Sequence, residues 1–165
     1  MSGNLKTLIE LRDSLTRGQR WMGLDLGSKT IGLSLSDVTL TVATPLETIR
    51  RTKFSADVAR LLALAAEHGV GGFVVGLPIN MDGSEGPAAQ SARAFARNLE
   101  KLTPIPLTFW DERMSTAAVT RTLLEADASR ARRAEVVDKM AAAYILQGAL
   151  ERLRRLPAES GDNAN

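Results

Sequence analysis

The chain has 165 residues, 44% of them apolar, which suits one domain with a proper core and leaves no room for a second. It has no cysteine, which excludes disulfides and thiolate metal sites and points to a cytoplasmic protein; no apolar run approaches the roughly 18 residues that span a bilayer, and the N-terminus lacks the apolar stretch of a signal peptide. A net charge of +2 and a pI of about 9.3 are compatible with a nucleic-acid partner without demanding one.

Residues 1–20 are expected to be an N-terminal extension in which Leu5, Leu8, Ile9, Leu11 and Leu15 give a short amphipathic helix. Residues 21–156 are expected to form the domain proper, and 157–165 a polar tail. Trp21 to Leu26 is short, apolar and ends at Gly27, as a central strand should. From Thr30 to Ser36 the residues alternate, with Ile31, Leu33 and Leu35 on one side and Thr30, Gly32, Ser34 and Ser36 on the other, the period of a half-buried strand. Gly27-Ser28-Lys29 between them is turn chemistry, so the pair is predicted to be a β-hairpin. Leu40 to Ile49 is predicted as a third strand, with Pro45 implying an edge position or a bulge.

From Phe54 the period becomes helical: Phe54, Val58, Leu61, Leu62 and Ala65 form a stripe that Gly69 terminates. His68, the single histidine, falls in the last turn of that helix, where a cation suits the helix dipole. Gly72 to Pro78 is a short apolar run suited to a buried parallel strand, and the polar, glycine-rich Ile79–Gly86 loop follows it. Pro87 opens another helix, with Ala88, Ala92, Phe95, Ala96 and Leu99 as its buried stripe. Pro104 to Trp110 is a fifth strand running into Asp111-Glu112-Arg113, after which a helix capped by Ser115 or Thr116 is expected to continue to about Glu125. Ala126 to Arg133 is small and basic and is predicted to be a flexible loop. A last helix is predicted over Ala134–Leu156, its apolar face including Val137, Met140, Ala141, Tyr144, Ile145 and Leu153. An antiparallel three-strand meander followed by β-α units makes a mixed α/β sheet covered by helices.

Three acids stand out against this frame. Asp25 lies within a run otherwise suited to burial, on the side of Gly23, whose missing side chain leaves room beside a carboxylate; its ordinary alternative is to accept backbone N–H groups of the following turn. Asp111-Glu112 sits at a strand end, and Asp138 lies near the start of the last helix, with Ala141 and Ala142 allowing that helix to approach the sheet. Acids converging from such elements can hold Mg²⁺ or Mn²⁺, which take oxygen ligands and need neither Cys nor His. Taken singly, each also has a surface role, as an ion pair with Arg113 or a helix N-terminal charge.

Five blocks then carry a resemblance: Gly23-Leu-Asp-Leu-Gly-Ser-Lys-Thr-Ile-Gly32 with Ser36-Asp37; Pro45-Leu-Glu-Thr-Ile49; Val75-Gly-Leu-Pro-Ile-Asn-Met-Asp-Gly-Ser84; Trp110-Asp-Glu-Arg-Met-Ser-Thr116; and Asp138-Lys-Met-Ala-Ala-Ala-Tyr-Ile-Leu146. In this order they resemble the YqgF-type Holliday junction resolvase and pre-16S rRNA nuclease family of the ribonuclease-H-like superfamily, over about residues 21–155. The resemblance implies a ribonuclease-H-like fold and metal-dependent phosphodiester hydrolysis, with Asp25, Glu112 and Asp138 as catalytic acids and ligands of two Mg²⁺ or Mn²⁺ ions. Lys29, Arg113 and Lys139, each near a proposed ligand, are candidates to bind phosphate or to offset the carboxylates, and Arg130, Arg132 and Arg133 to grip the nucleic-acid backbone. The expected partner is a ribosomal RNA precursor or branched DNA, bound by a monomer or a homodimer, with no membrane. Two further readings follow from the same residues. Asp25-Leu-Gly-Ser-Lys-Thr also resembles the first phosphate loop of actin-like ATPases and sugar kinases, and a non-catalytic RNA- or ribosome-binding module would need no cleavage at all.

Overall fold

The computed structural model describes residues 6–114 and 130–156, with the side chains of the last helix described from Asp138 onward. Strands β1 (Arg20–Leu26), β2 (Thr30–Ser36) and β3 (Ala43–Arg50) come first, preceded by the short helix α1 (Leu8–Asp13). Helix α2 (Phe54–Glu67), β4 (Val70–Leu77), α3 (Pro87–Glu100), β5 (Leu107–Asp111), a 3₁₀ turn (Glu112–Met114) and the long helix α4 (Arg130–Arg155) follow. The five strands form one mixed sheet in the order β3-β2-β1-β4-β5. β1 pairs antiparallel with β2 and β2 with β3, while β1/β4 and β4/β5 are parallel.

β1 is therefore central and both its faces are covered. Met22 and Leu24 face one core with Ile31, Leu33, Phe73, Val75, Val58, Leu61, Phe95 and Leu99, the side taken by α2 and α3. Trp21 faces the other, with Val74, Trp110, Ile145, Leu146 and Leu150 of α4. Burying residues such as Ile145, Leu146 and Leu150 contributes roughly 1.5–3 kcal/mol each. Helix α4 also covers β2, which corrects the half-buried reading of that strand. Its polar side is as closed as its apolar side: Ser34 and Ser36 are buried, Ser34 Oγ donating to the Ala142 carbonyl at 2.7 Å and Ser36 Oγ accepting from Trp21 N at 2.9 Å. Small hydroxyls look solvent-facing in an alternating pattern, but they are also what fits beneath a close helix.

β3 is the edge strand, and the register between β2 and β3 slips by one residue, so that Leu33 faces Glu47 and Ser34 faces Pro45, with Leu46 the extra residue of a bulge. Gly69, at φ +65, ends α2. In α3 the buried stripe runs through Ala89 rather than Ala88, which turns outward; Ala92, Phe95, Ala96 and Leu99 are buried as expected. The helix opens at Pro87, and Ala89 then falls in phase with Ala92, Ala96 and Leu99.

The larger correction concerns the basic segment. Helix α4 starts at Arg130, so Arg130, Arg132 and Arg133 lie on helical backbone instead of in a loop. Arginine and alanine are good helix formers, and the segment contains no glycine or proline to stop a helix from extending back through it. The side chains of these arginines, the helix expected to about Glu125, and Ala126–Ser129 lie outside the described residues. No helix among the described residues is long and apolar enough to cross a membrane.

Candidate active site

Asp25 is 5% exposed, one residue before the end of β1. Its antiparallel partner on β2 is Gly32, and continuing the parallel register one step past Leu24–Val75 places Gly76 of β4 beside it. The acid is thus flanked by glycine on both neighbouring strands. The reason differs on the two sides. A Cβ at Gly32 would stand 2.0 Å from the Asp138 carbonyl oxygen, because α4 crosses the sheet there in backbone contact. A Cβ at Gly76 would stand 2.8 Å from Glu112 Oε2 and 2.5 Å from Ile145 Cδ1. Gly23, which the sequence suggested leaves room for Asp25, in fact makes room for α4, since a Cβ there would meet Ser34 Oγ at 2.4 Å and the Ala142 carbonyl at 2.9 Å.

Asp111 and Glu112 part company where β5 ends. Asp111 is the last strand residue; its carboxylate takes the Arg113 guanidinium at 2.7 Å and the Arg113 backbone N–H at 2.9 Å, which holds its pKa below the usual carboxylate range. Glu112 opens the 3₁₀ turn and is buried, its Oε2 over Gly76 on the Asp25 side of the sheet. Asp138 is carried by the third turn of α4 over β2, where Thr30 Oγ1 donates a hydrogen bond to its Oδ2. Asp25, Glu112 and Asp138 consequently line a single cleft of about 370 Å³ at the β1–β2 turn.

Of the cations proposed, Lys29 lines this cleft. Its turn is held by Arg51, whose backbone N–H donates to the Lys29 carbonyl at 2.9 Å and whose Nη1 donates to the Gly27 carbonyl at 2.6 Å. Lys139 is half-buried and is not among the cleft-lining residues. Arg113 turns away, toward Asp111 and the Asn80 and Met81 carbonyls. Among the described residues no three acidic or histidine side chains stand together as a completed metal-ligand set; the three carboxylates share a cleft without being drawn onto one point. Sequence reasoning had passed over Thr30, Gly32, Gly76 and Arg51. A glycine on each strand flanking an acidic one was the available signal for two of them.

A mixed five-stranded sheet with antiparallel β1–β3 and parallel β4 and β5, crossed by a long helix, is the ribonuclease-H-like fold. The structure of Thermus thermophilus RuvC in complex with a Holliday junction substrate shares this fold, with a TM-score of 0.51 and 14% identity over 83% of this chain and 97% of that one. The chain belongs to the RuvX family, described as Holliday junction resolvase, whose model matches residues 19–152. It is 68% identical over 142 residues to a Paramagnetospirillum magneticum protein provisionally named pre-16S rRNA nuclease, covering 86% of this chain and 92% of that one. A Rhodobacter capsulatus protein of the same name is 66% identical over 139 residues, covering 84% and 87%. By family the chain is a nuclease.

Proposed function

We propose that this chain is a metal-dependent endonuclease that hydrolyses phosphodiester bonds in structured nucleic acid, by a two-metal-ion mechanism on Asp25, Glu112 and Asp138. The observation that carries the reading is that three carboxylates from a central strand, a strand end and a crossing helix line one cleft. The donors are all carboxylate oxygens, the set that Mg²⁺ and Mn²⁺ prefer, and glycine at 32 and 76 keeps side-chain bulk out of the space around Asp25. Ions of this kind, when held there, make a bound water nucleophilic near neutral pH and offset charge on the leaving oxygen.

The chain's own residues supply position and charge. Asp25, held in the centre of the sheet, faces the cleft from a strand paired along both edges. Glu112 and Asp138 approach it from the 3₁₀ turn and α4, and the Thr30 hydrogen bond fixes one oxygen of Asp138. Lys29, on the braced turn, binds a phosphate at the mouth of the cleft. A polyanionic substrate thereby meets a cation at the rim and carboxylates within, and needs the metal charge to come closer.

The name shared by relatives at 56–68% identity supports precursor 16S rRNA as the substrate, and the 5′ end is the place of cutting that this reading assigns. The family description supports a four-way DNA junction as the second reading. RNA trimming needs only a monomer, whereas symmetric cutting of a two-fold junction favours a homodimer. The test offers both substrates side by side to purified protein with Mg²⁺ or Mn²⁺, using Asp25→Asn as control. Metal-dependent cleavage of the RNA, lost in Asp25→Asn, is expected. Binding without cleavage of either substrate would instead favour a non-catalytic RNA- or ribosome-binding module, and nucleotide binding without nucleic-acid cleavage the actin-like reading.

A further inference from the structure

The loop after β4 carries a large apolar side chain that the described residues leave uncovered: Met81 is 88% exposed. The tip is held rather than slack. Asn80 N donates to the Ser84 carbonyl at 2.9 Å, Gly83 N donates to the Asn80 carbonyl at 2.8 Å, and Gly83 takes φ +90, a conformation that favours glycine. The loop's two acids are tied back. Asp82 accepts from Ser84 N at 2.9 Å and Ser84 Oγ at 2.6 Å, and Glu85 is paired twice with Arg93 at 2.7 Å. Their charges are thus engaged close to the loop, and the thioether is left as its projecting group.

Both connections of this loop lead to the acid cleft. Pro78 before the loop and Ala88 after it both line the cleft, while Arg113, which turns away from the cleft to Asp111, reaches the Asn80 and Met81 carbonyls at 3.4 and 3.5 Å. Three residues of chain from Pro78 span at most about 11 Å, or about three stacked nucleotide steps of 3.4 Å. A polarizable thioether has affinity for the face of an aromatic ring, and exposed methionines are among the apolar wedges that proteins insert between base steps. Resting on the nuclease reading above, we infer that Met81 is a substrate-contacting residue that packs against an unstacked base within about three nucleotides of the scissile phosphate. It gives this enzyme a preference for nucleic acid whose bases are unpaired or distorted at the cut.

The test uses a 5′-extended 16S rRNA fragment and a four-way DNA junction, each carrying 2-aminopurine at successive positions near the cleavage site. Binding to Asp25→Asn protein should raise the fluorescence at one of them, reporting an unstacked base. Adding Met81→Ala should remove most of that rise, and in the otherwise wild-type enzyme Met81→Ala should lower kcat/KM roughly ten-fold. Met81→Leu should keep both signals, with melting temperatures unchanged in all variants. Unchanged fluorescence and kcat/KM in Met81→Ala would overturn the inference and leave the tip for a protein partner; equal losses in Met81→Leu, with lowered melting temperature, would overturn it in favour of a structural role. If the wild-type enzyme cleaves neither substrate, the nuclease reading fails, and this inference with it. If it cleaves and Met81→Ala is silent, only the inference fails.

Discussion

Thr30 Oγ1 donates a hydrogen bond to Asp138 Oδ2, joining β2 to α4 across 108 residues of sequence. Both residues line the acid cleft, so the bond fixes a proposed ligand where it is needed. Thr30→Val keeps the shape and β-branching of the side chain and removes the donor. Catalysis should fall at least about 10-fold, as is usual when the partner of a metal ligand is lost, with a stability loss on the order of 1 kcal/mol. Thermal unfolding and single-turnover rates on one preparation separate the two effects. Equal activity in Thr30→Val would show that Asp138 needs no such support.

Gly32 and Gly76 flank the same aspartate, but alanine at each should do different harm. At position 32 the new Cβ meets the Asp138 carbonyl at 2.0 Å, which is backbone, so α4 must lift from the sheet. A loss of about 3 kcal/mol or more is expected, at the upper end for overpacked cores. At position 76 it meets the side-chain ends of Ile145 and Glu112, at 2.5 and 2.8 Å, rather than backbone. Gly76→Ala should therefore lose less stability and disproportionate activity, because Glu112 is displaced. Denaturant midpoints and cleavage rates measured on both variants would reveal the opposite ordering if the account were wrong.

Glu112→Gln should reduce cleavage more than about 100-fold, beyond the range typical of residues that merely support a ligand. Asp111→Asn should cost far less, since Asp111 is engaged with Arg113 and lies apart from the cleft-lining set. Rates for the two variants under saturating Mg²⁺ test this, and full activity in Glu112→Gln with loss in Asp111→Asn would exchange the assignments.

At the other end of the sheet, Asp37 accepts from the Thr39 hydroxyl and from the Thr41 and Val42 backbone N–H groups, which lowers its pKa from 3.8 to about 2. A carboxylate whose pKa is lower in the folded chain stabilises it above the unfolded value. That contribution is present above about pH 4 and is lost as pH falls through about 2. Solvent screening limits it to the order of 1 kcal/mol. The stability difference between wild type and Asp37→Asn should be constant from pH 5 to 7 and shrink between about pH 4 and 2. A difference that stays level through that acid window would remove Asp37 as the cause.

The hairpin, the edge position of Pro45, the parallel β4 and both α2 and α3 were legible because each is written in local periodicity and turn chemistry. Asp25 was legible as an acid in a run suited to burial, Glu112 and Asp138 from their places at a strand end and near a helix start together with the family resemblance, and the cleft that all three line follows from the elements that carry them. What periodicity does not carry is which surface a helix will cover. Gly32, Ser34 and Ser36 fall on the polar side of an alternating strand, and only α4 laid across them shows that side to be closed, with the Asp138 carbonyl directly above Gly32. The start of α4 at Arg130 was missed for a related reason. A cluster of arginines looks like a loop on charge grounds, while intrinsic propensity favours the helix.

The most direct measurement of the central claim, that Asp25, Glu112 and Asp138 hold catalytic metal at the scissile phosphate, is a metal-rescue experiment. A substrate with sulfur replacing a non-bridging oxygen at the cleaved phosphate would be assayed in single turnover with Mg²⁺ and with Mn²⁺. Mg²⁺ prefers oxygen strongly and Mn²⁺ tolerates sulfur better, so cleavage should slow in Mg²⁺ and recover in Mn²⁺, with none in chelator. The recovery should vanish in Asp25→Asn. Cleavage that proceeds in chelator, or at one rate whichever ion and whichever substrate is used, would contradict the account.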